Sequence, residues 1–223
     1  MAFLKNIASR LPGQWQSELK RVRYARQIRK GTFQTDEPEY LMLSQLVSPG
    51  DWVLDIGANV GHYTKRFSEL AGARGRVIAF EPVPTTFSLL SANAQHFAHP
   101  NVSLINAAVS GHFAEVGMSI PRFSSGLHNF YEAHLSPGTE NSLPVLALSI
   151  DSLAIDHPIS LVKIDAEDHE ASVLAGMKNL IEKYHPTLIV ETGSQEVVSA
   201  LSASGYAATK LPGSPNFLFR ANR

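Results

Sequence analysis

The sequence predicts an α/β fold, a mostly parallel twisted sheet with helices on both faces that closes on an antiparallel hairpin. Short apolar runs alternate with segments of helical spacing, the pattern of a parallel sheet covered on both sides. The first of those runs ends in a glycine-rich turn. The last two strand-like segments are joined by Leu211-Pro212-Gly213-Ser214-Pro215, too short for another crossover helix.

Taken in order, residues 1–35 read as a basic helical arm. Lys5, Arg10, Lys20, Arg21, Arg23, Arg26, Arg29 and Lys30 stand against the single acid Glu18 in the first thirty positions. Phe3, Leu4, Ile7, Leu11, Trp15, Leu19, Val22 and Ile28 fall near a helical period on either side of Pro12-Gly13. The preferred expectation is a pair of amphipathic helices packed on the domain and solvated on their basic face. A peripheral membrane or polyanion contact, or a lid over the active site, is the functional alternative. Lys5, Asn6 and Arg10 interrupt any secretory h-region, and no stretch is long enough to span a bilayer, so a cytoplasmic location is expected.

From Gly31 onward the alternation is regular. Helical spacing over 37–47 is broken by Ser48-Pro49-Gly50, and Trp52 to Ile56 is an apolar strand. A helix at about His62 to Leu70, a strand Arg76 to Phe80, a helix from Pro84 to about His96 and a strand Val102 to Asn106 follow. Leu161 to Asp165 and Thr187 to Glu191 are further buried-type strands separated by a helix around Ala171 to Lys183. The insert at about 110–148, rich in glycine and proline between short alternating segments such as Val116 to Ile120, reads as an antiparallel excursion that shapes a substrate pocket. Tyr206 to Lys210 and Asn216 to Arg220 form the closing hairpin.

Composition narrows the chemistry. An apolar share of 44% over 223 residues is enough to bury a sizeable core. The absence of cysteine excludes thiolate nucleophiles, disulfide frameworks and cysteine-ligated metals. A formal net charge of -1 gives no global electrostatic case for nucleic acid as partner.

The turn Asp55-Ile56-Gly57-Ala58-Asn59-Val60-Gly61 sits where an open parallel sheet binds nucleoside ligands, outside the carboxyl end of a strand. The next strand ends in Phe80-Glu81-Pro82, so that Glu81 can accept both ribose hydroxyls. A dinucleotide fingerprint needs glycine at its second position to admit pyrophosphate, and Asn59 stands there instead. That spacing, headed by Asp55, better suits a ligand with an ammonium and a carboxylate, and it disfavours a nicotinamide-dependent oxidoreductase.

Val53 to Tyr63 (VLDIGANVGHY), Phe80 to Pro82 (FEP), Ile105 to Ser110 (INAAVS), Leu148 to Leu153 (LSIDSL), Leu161 to Glu170 (LVKIDAEDHE) and Pro186 to Glu191 (PTLIVE) resemble the successive motifs of FkbM-type methyltransferases. The resemblance spans roughly residues 50 to 220. It implies the class I methyltransferase (Rossmann-like) fold over 36–223 and S-adenosylmethionine as methyl donor, with S-adenosylhomocysteine as product. It also implies a hydroxyl acceptor on a sugar or polyketide-like natural product. By that similarity Asp55, Gly57 and Gly61, with Ala58 and Asn59 between them, border the methionine part, Glu81 the ribose, and Asn106 with Ala107 the adenine. The family pattern Asp-x-Glu-Gly-x-Glu carries Asp168 here in place of its glycine.

Methyl transfer to an alcohol needs alignment and removal of the acceptor proton. The cluster Asp165, Glu167, Asp168, His169, Glu170 follows directly on a buried strand. In an extended tip Asp165 and Glu167 share a side. His169, with an unperturbed pKa of ~6.5, suits a general base, and Asp165 or Glu167 suits orienting the hydroxyl or an ammonium. Asp168 and Glu170 are equally explained as acids capping a helix start. The carboxylates could also hold a divalent cation with a substrate diol, although no metal site is assigned. His62, His128 and Tyr131 are weaker candidates that fit packing or surface roles, and Glu191 fits either a pocket wall or a cap for the following helix. A cofactor-binding interaction module without turnover is the alternative from another class.

Overall fold

The computed structural model describes residues 13–121, 133–136 and 142–222. The chain runs through α1 (Gly13–Arg29), α2 (Pro38–Met42), β1 (Trp52–Ile56), α3 (His62–Ala71), β2 (Arg76–Phe80), α4 (Pro84–Ala94) and β3 (Val102–Ile105). The insert supplies β4 (Ala108–Val109), β5 (Ala114–Ser119), β6 (His134–Ser136) and β7 (Leu143–Leu148). Then come β8 (Ile159–Ile164), α5 (Glu170–Ala175), α6 (Lys178–Tyr184), β9 (Thr187–Glu191), α7 (Gln195–Ala203), β10 (Tyr206–Lys210) and β11 (Asn216–Ala221).

Runs that are apolar toward both faces must be covered on both, and the sheet obeys this. Its order is β10-β11-β9-β8-β1-β2-β3. Pairing is parallel from β9 through β3, while β11 is antiparallel to both β9 and β10, as the short closing loop requires. Leu54, Val162, Ile164 and Leu188 pack toward Val173, Met177, Leu180 and Val197 of the later helices. Val53, Val77, Leu161 and Ile189 pack on the other side against Tyr40, Leu43 and Phe67. The first crossovers carry the chain from β1 to β2 and β3, whereas β8 and β9 lie on the opposite side of β1. The strand order therefore reverses at β1/β8, the place where such sheets open a ligand crevice at their carboxyl edge.

The insert is antiparallel as expected, with β5 paired to β6 and β7, and it begins with the parallel pair β4/β7. Met118, Val145 and Ala147 pack on Val83, which fixes this small sheet beside the tip of β2.

Two expectations are corrected. The helix expected over 171–183 is two helices, α5 and α6, interrupted at Gly176-Met177. At that junction a Cβ on Gly176 would stand 2.0 Å from the Ser110 carbonyl oxygen, so the close approach to the segment after β4 admits only glycine. In the arm, the apolar positions Trp15, Leu19 and Val22 are exposed, at 64%, 50% and 66%, and only Ile28 of the described set is buried. The docked face is made by Tyr24 and Ile28, which pack with Phe33, Val60 and Leu89, and by Arg21, whose Nη2 donates to Ser88 Oγ at 2.6 Å. The first part of the arm, residues 1–12, lies outside the described residues.

Gly176→Ala is expected to destabilise the fold by ~1–3 kcal/mol, as overpacking of a closed contact does. Gly193→Ala, where a Cβ meets nothing within 4 Å, is the control and should leave the melting temperature unchanged.

Candidate active site

Three strand tips meet at the switch point because their backbones are bonded to one another. Gly57 and Ala58 N–H groups donate to the Phe80 carbonyl at 3.1 and 2.9 Å, Asp165 N–H to the Ile56 carbonyl at 3.1 Å, and Glu81 N–H to Ile105 at 3.1 Å. Gly57 has φ 79°, and a Cβ there would lie 1.9 Å from the Asp165 carbonyl oxygen. Only glycine satisfies both the left-handed backbone and this contact. The turn after β1, the acid after β2 and the acid after β8 thus stand side by side.

Two compartments open on either side of that crossing and share Gly57, Asn59, Asp165 and Glu167. One is walled by Phe80, Pro82, Val83, Ala107, Met118 and Leu135, with Glu81 and His169 also lining it. Its apolar walls suit a flat aromatic base. The other is polar: Glu37, Asp55, Tyr63, Lys163 and Glu191 line it, together with Thr35 and His62.

Electrostatics separate the acids. Lys163 is 2% exposed, donates to Asp165 Oδ2 at 2.9 Å and lies 4.6 Å from the Tyr63 ring centroid. Burial acts to lower its pKa, but the carboxylates of Asp165, Asp55 and Glu37 outweigh burial and hold it charged. Asp55 is fully buried; Thr64 Oγ1 donates to its Oδ2 at 2.6 Å, while Oδ1 has no hydrogen-bond partner among the described residues. Burial pushes Asp55 up, against the pull of Lys163 and Thr64. Glu81 accepts from Asn59 N–H and Val83 N–H, each at 2.9 Å, and burial nevertheless raises it to about 7. Glu191 is raised to about 7 by burial and by its neighbour Asp165. Glu37 accepts a short hydrogen bond from Tyr63.

These features meet the needs of S-adenosylmethionine. Asp55 Oδ1 is a buried acceptor in want of a donor such as an ammonium. Glu81 keeps spare acceptor capacity at the next strand tip. Among the described residues no group of three or more histidines or acids stands in a metal-holding arrangement.

Of the residues singled out from the sequence, Asp55, Gly57, Ala58, Asn59, Glu81, Ala107, Asp165, Glu167 and His169 all line one or both compartments. Two assigned to the cofactor do not. Gly61, with φ 95°, begins α3 and makes room for Leu90, whose Cδ1 would be 2.6 Å from a Cβ. Asn106 is exposed, and its amide donates to the carbonyls of Glu81 and Pro82 at 2.8 and 3.0 Å, tying the strand tips together. The segment after β8 is not extended: Glu167 and Asp168 have φ 47° and 70°, yet Asp165 and Glu167 still face the same space. Asp168 adopts the left-handed backbone where the family pattern has glycine, a conformation that Asp tolerates better than most residues. His169 Nε2 is hydrogen-bonded to Ser110 Oγ at 2.9 Å, its pKa is lowered by burial, and it lines the apolar compartment alone. His62 packs on Phe33 and is pushed down to about 4 by burial. His128 and Tyr131 lie outside the described residues. Glu37, Tyr63 and Lys163 were not legible as site residues, since only the folded sheet brings them to the β1/β8 crossing.

The family model of the methyltransferase FkbM domain matches residues 55–206. The hexuronic acid methyltransferase AglP of Haloferax volcanii is 26% identical over 152 residues, 66% of this chain and 59% of that protein's length. The chain thus spans little more than half of this curated relative. Among solved structures, the FkbM methyltransferase from Methylobacillus flagellatus superposes with a TM-score of 0.58 at 17% identity, covering 77% of this chain and 44% of that one. A methyltransferase from Geobacter sulfurreducens gives 0.53 at 15% identity over 99% and 94%. The strand order, the glycine turn with its paired acids and the matched family model together identify the chain as a member of the FkbM family of S-adenosylmethionine-dependent methyltransferases.

Proposed function

We propose that the chain methylates a hydroxyl group of a sugar-like acceptor, with S-adenosylmethionine as donor. The observation that carries this reading is the pairing of an apolar and an acid-lined compartment across the Gly57–Asp165 contact. The apolar one suits adenine, Glu81 the ribose hydroxyls, and the unpartnered oxygen of Asp55 the ammonium. The polar compartment then receives the acceptor. A relative that methylates a hexuronic acid supports a sugar at long range. Such a sugar offers both carboxylate and hydroxyl oxygens. Glu37, Asp165 and Glu191 accept hydrogen bonds from hydroxyls, which favours an ether product.

When bound, S-adenosylmethionine supplies a methyl carbon already activated by its sulfonium. This chain's residues hold the acceptor in line with that carbon and take its proton. Glu191 is the base we assign. It lies at the tip of β9 beside Asp165, opens onto the polar compartment and, among the described residues, makes no hydrogen bond that would occupy its carboxylate. Glu191 would take the acceptor's hydroxyl proton as that oxygen receives the methyl group from the sulfonium. Asp165 is held by Lys163 and serves to position, as does Glu167 between the two compartments. His169, bonded to Ser110 on the adenine side, serves to shape that wall rather than as base.

At saturating cofactor, kcat is expected to rise with pH through about 7 and then level, because Glu191 must be unprotonated. Glu191→Gln should cost ~10²–10⁴-fold in kcat and leave S-adenosylhomocysteine affinity intact. An inactive His169→Ala beside an active Glu191→Gln would return the base to His169. The methylated product, formed from hexuronic and neutral sugar acceptors, should resist mild alkali; a base-labile ester would contradict hydroxyl transfer. In calorimetric titration Glu81→Ala should weaken S-adenosylhomocysteine at least about tenfold, the loss of charged hydrogen bonds to the ribose. For the unsubstituted chain that affinity should fall as pH drops below about 7, where Glu81 becomes protonated.

A further inference from the structure

The face that α1 turns away from the domain carries exposed apolar side chains among cations. Ser17, Arg21, Tyr24 and Ile28 recur at spacings of four, three and four and form the docked side, with Tyr24 and Ile28 buried. Trp15, Leu19, Val22 and Arg26 repeat the same spacing two residues out of step, which on a helix of 3.6 residues per turn places them on the opposite side. All four are exposed, and Arg23, Arg29 and Lys30 are exposed around them. The one acid of the helix, Glu18, is tied to Arg21 at 2.9 Å, and among the described residues none of the four outer cations is in an ion pair. The helix is therefore two-sided: one stripe anchors it, and the other presents three large apolar side chains rimmed by cations. Because the whole chain carries a formal charge of -1, this positive character belongs to the face and not to the protein at large.

We propose that this face docks on an anionic lipid bilayer. Tryptophan and aliphatic side chains enter the boundary between headgroups and acyl chains, and arginine and lysine reach the phosphates. Each cation near an anionic leaflet adds attraction that salt removes. No rearrangement is needed, since Tyr24, Ile28 and the Arg21–Ser88 bond already hold the helix with its apolar stripe outward. The proposal does not depend on which acceptor the enzyme methylates.

The test is co-sedimentation of the full chain with phosphatidylcholine vesicles, with and without phosphatidylglycerol. Binding is expected only to the anionic vesicles and should weaken as salt is raised. A variant carrying Trp15→Ser, Leu19→Ser and Val22→Ser, and a second carrying Arg23→Gln, Arg26→Gln and Arg29→Gln, should each bind at least about tenfold more weakly. Both should keep the native melting temperature and S-adenosylhomocysteine affinity, because these side chains do not touch the core. Equal affinity for the two vesicle types, or undiminished binding by both variants, would overturn the proposal. So would a concentration-dependent dimer that the serine variant dissociates with no vesicle binding by the native chain, which would make a second copy the occupant.

Discussion

The contact of Gly57 with the carbonyl of Asp165 is the constraint from which the site follows. It requires a residue without Cβ, places the β1 turn against the β8 tip, and divides the carboxyl edge of the sheet into two compartments that communicate past Asn59 and Glu167. The backbone bonds from Gly57 and Ala58 to Phe80 bring Glu81 to the same edge. A ligand with an apolar ring at one end and a charged amino acid at the other can then lie across the crossing, with its reactive centre over the junction. The fold supplies this shape before any substrate contact is made.

Lys163 sets the charge pattern around that junction. A buried cation is costly alone, but here Asp55, Asp165 and Glu37 surround it and the Tyr63 ring covers one side. Its presence lets several carboxylates share one small volume. Asp165 is bonded to Lys163 and Glu37 to Tyr63, whereas Glu191 makes no hydrogen bond among the described residues and burial raises its pKa to about 7. The same economy appears at Glu81, where two backbone N–H groups orient a carboxylate that burial keeps near neutrality.

The parallel sheet and its closing hairpin were legible because apolar runs and short loops report burial and connectivity directly. The placement of the glycine turn and Glu81 at the carboxyl edge of the sheet was legible because it depends on local spacing. The close contact of Gly176 with the Ser110 carbonyl is not legible in local spacing, because Ser110 lies on a distant segment. The apolar stripe of Trp15, Leu19 and Val22 was read as a packing face, and helical period alone cannot say toward which side the domain lies; Tyr24 and Arg21 decide it. The acid cluster after β8 was located correctly, but which of its members reaches which compartment depends on left-handed backbone at Glu167 and Asp168 that alternation rules do not describe. Glu37, Lys163 and Tyr63 come from three separate elements, and nothing within any one of them announces a site.

The most direct measurement is a crystal structure of the complex with S-adenosylhomocysteine. Adenine is expected between Val83, Ala107 and Met118, the ribose hydroxyls on Glu81, the ammonium on Asp55, and sulfur facing the polar compartment toward Glu191. A ligand bound in the reverse sense, or away from the Gly57–Asp165 crossing, would contradict this placement.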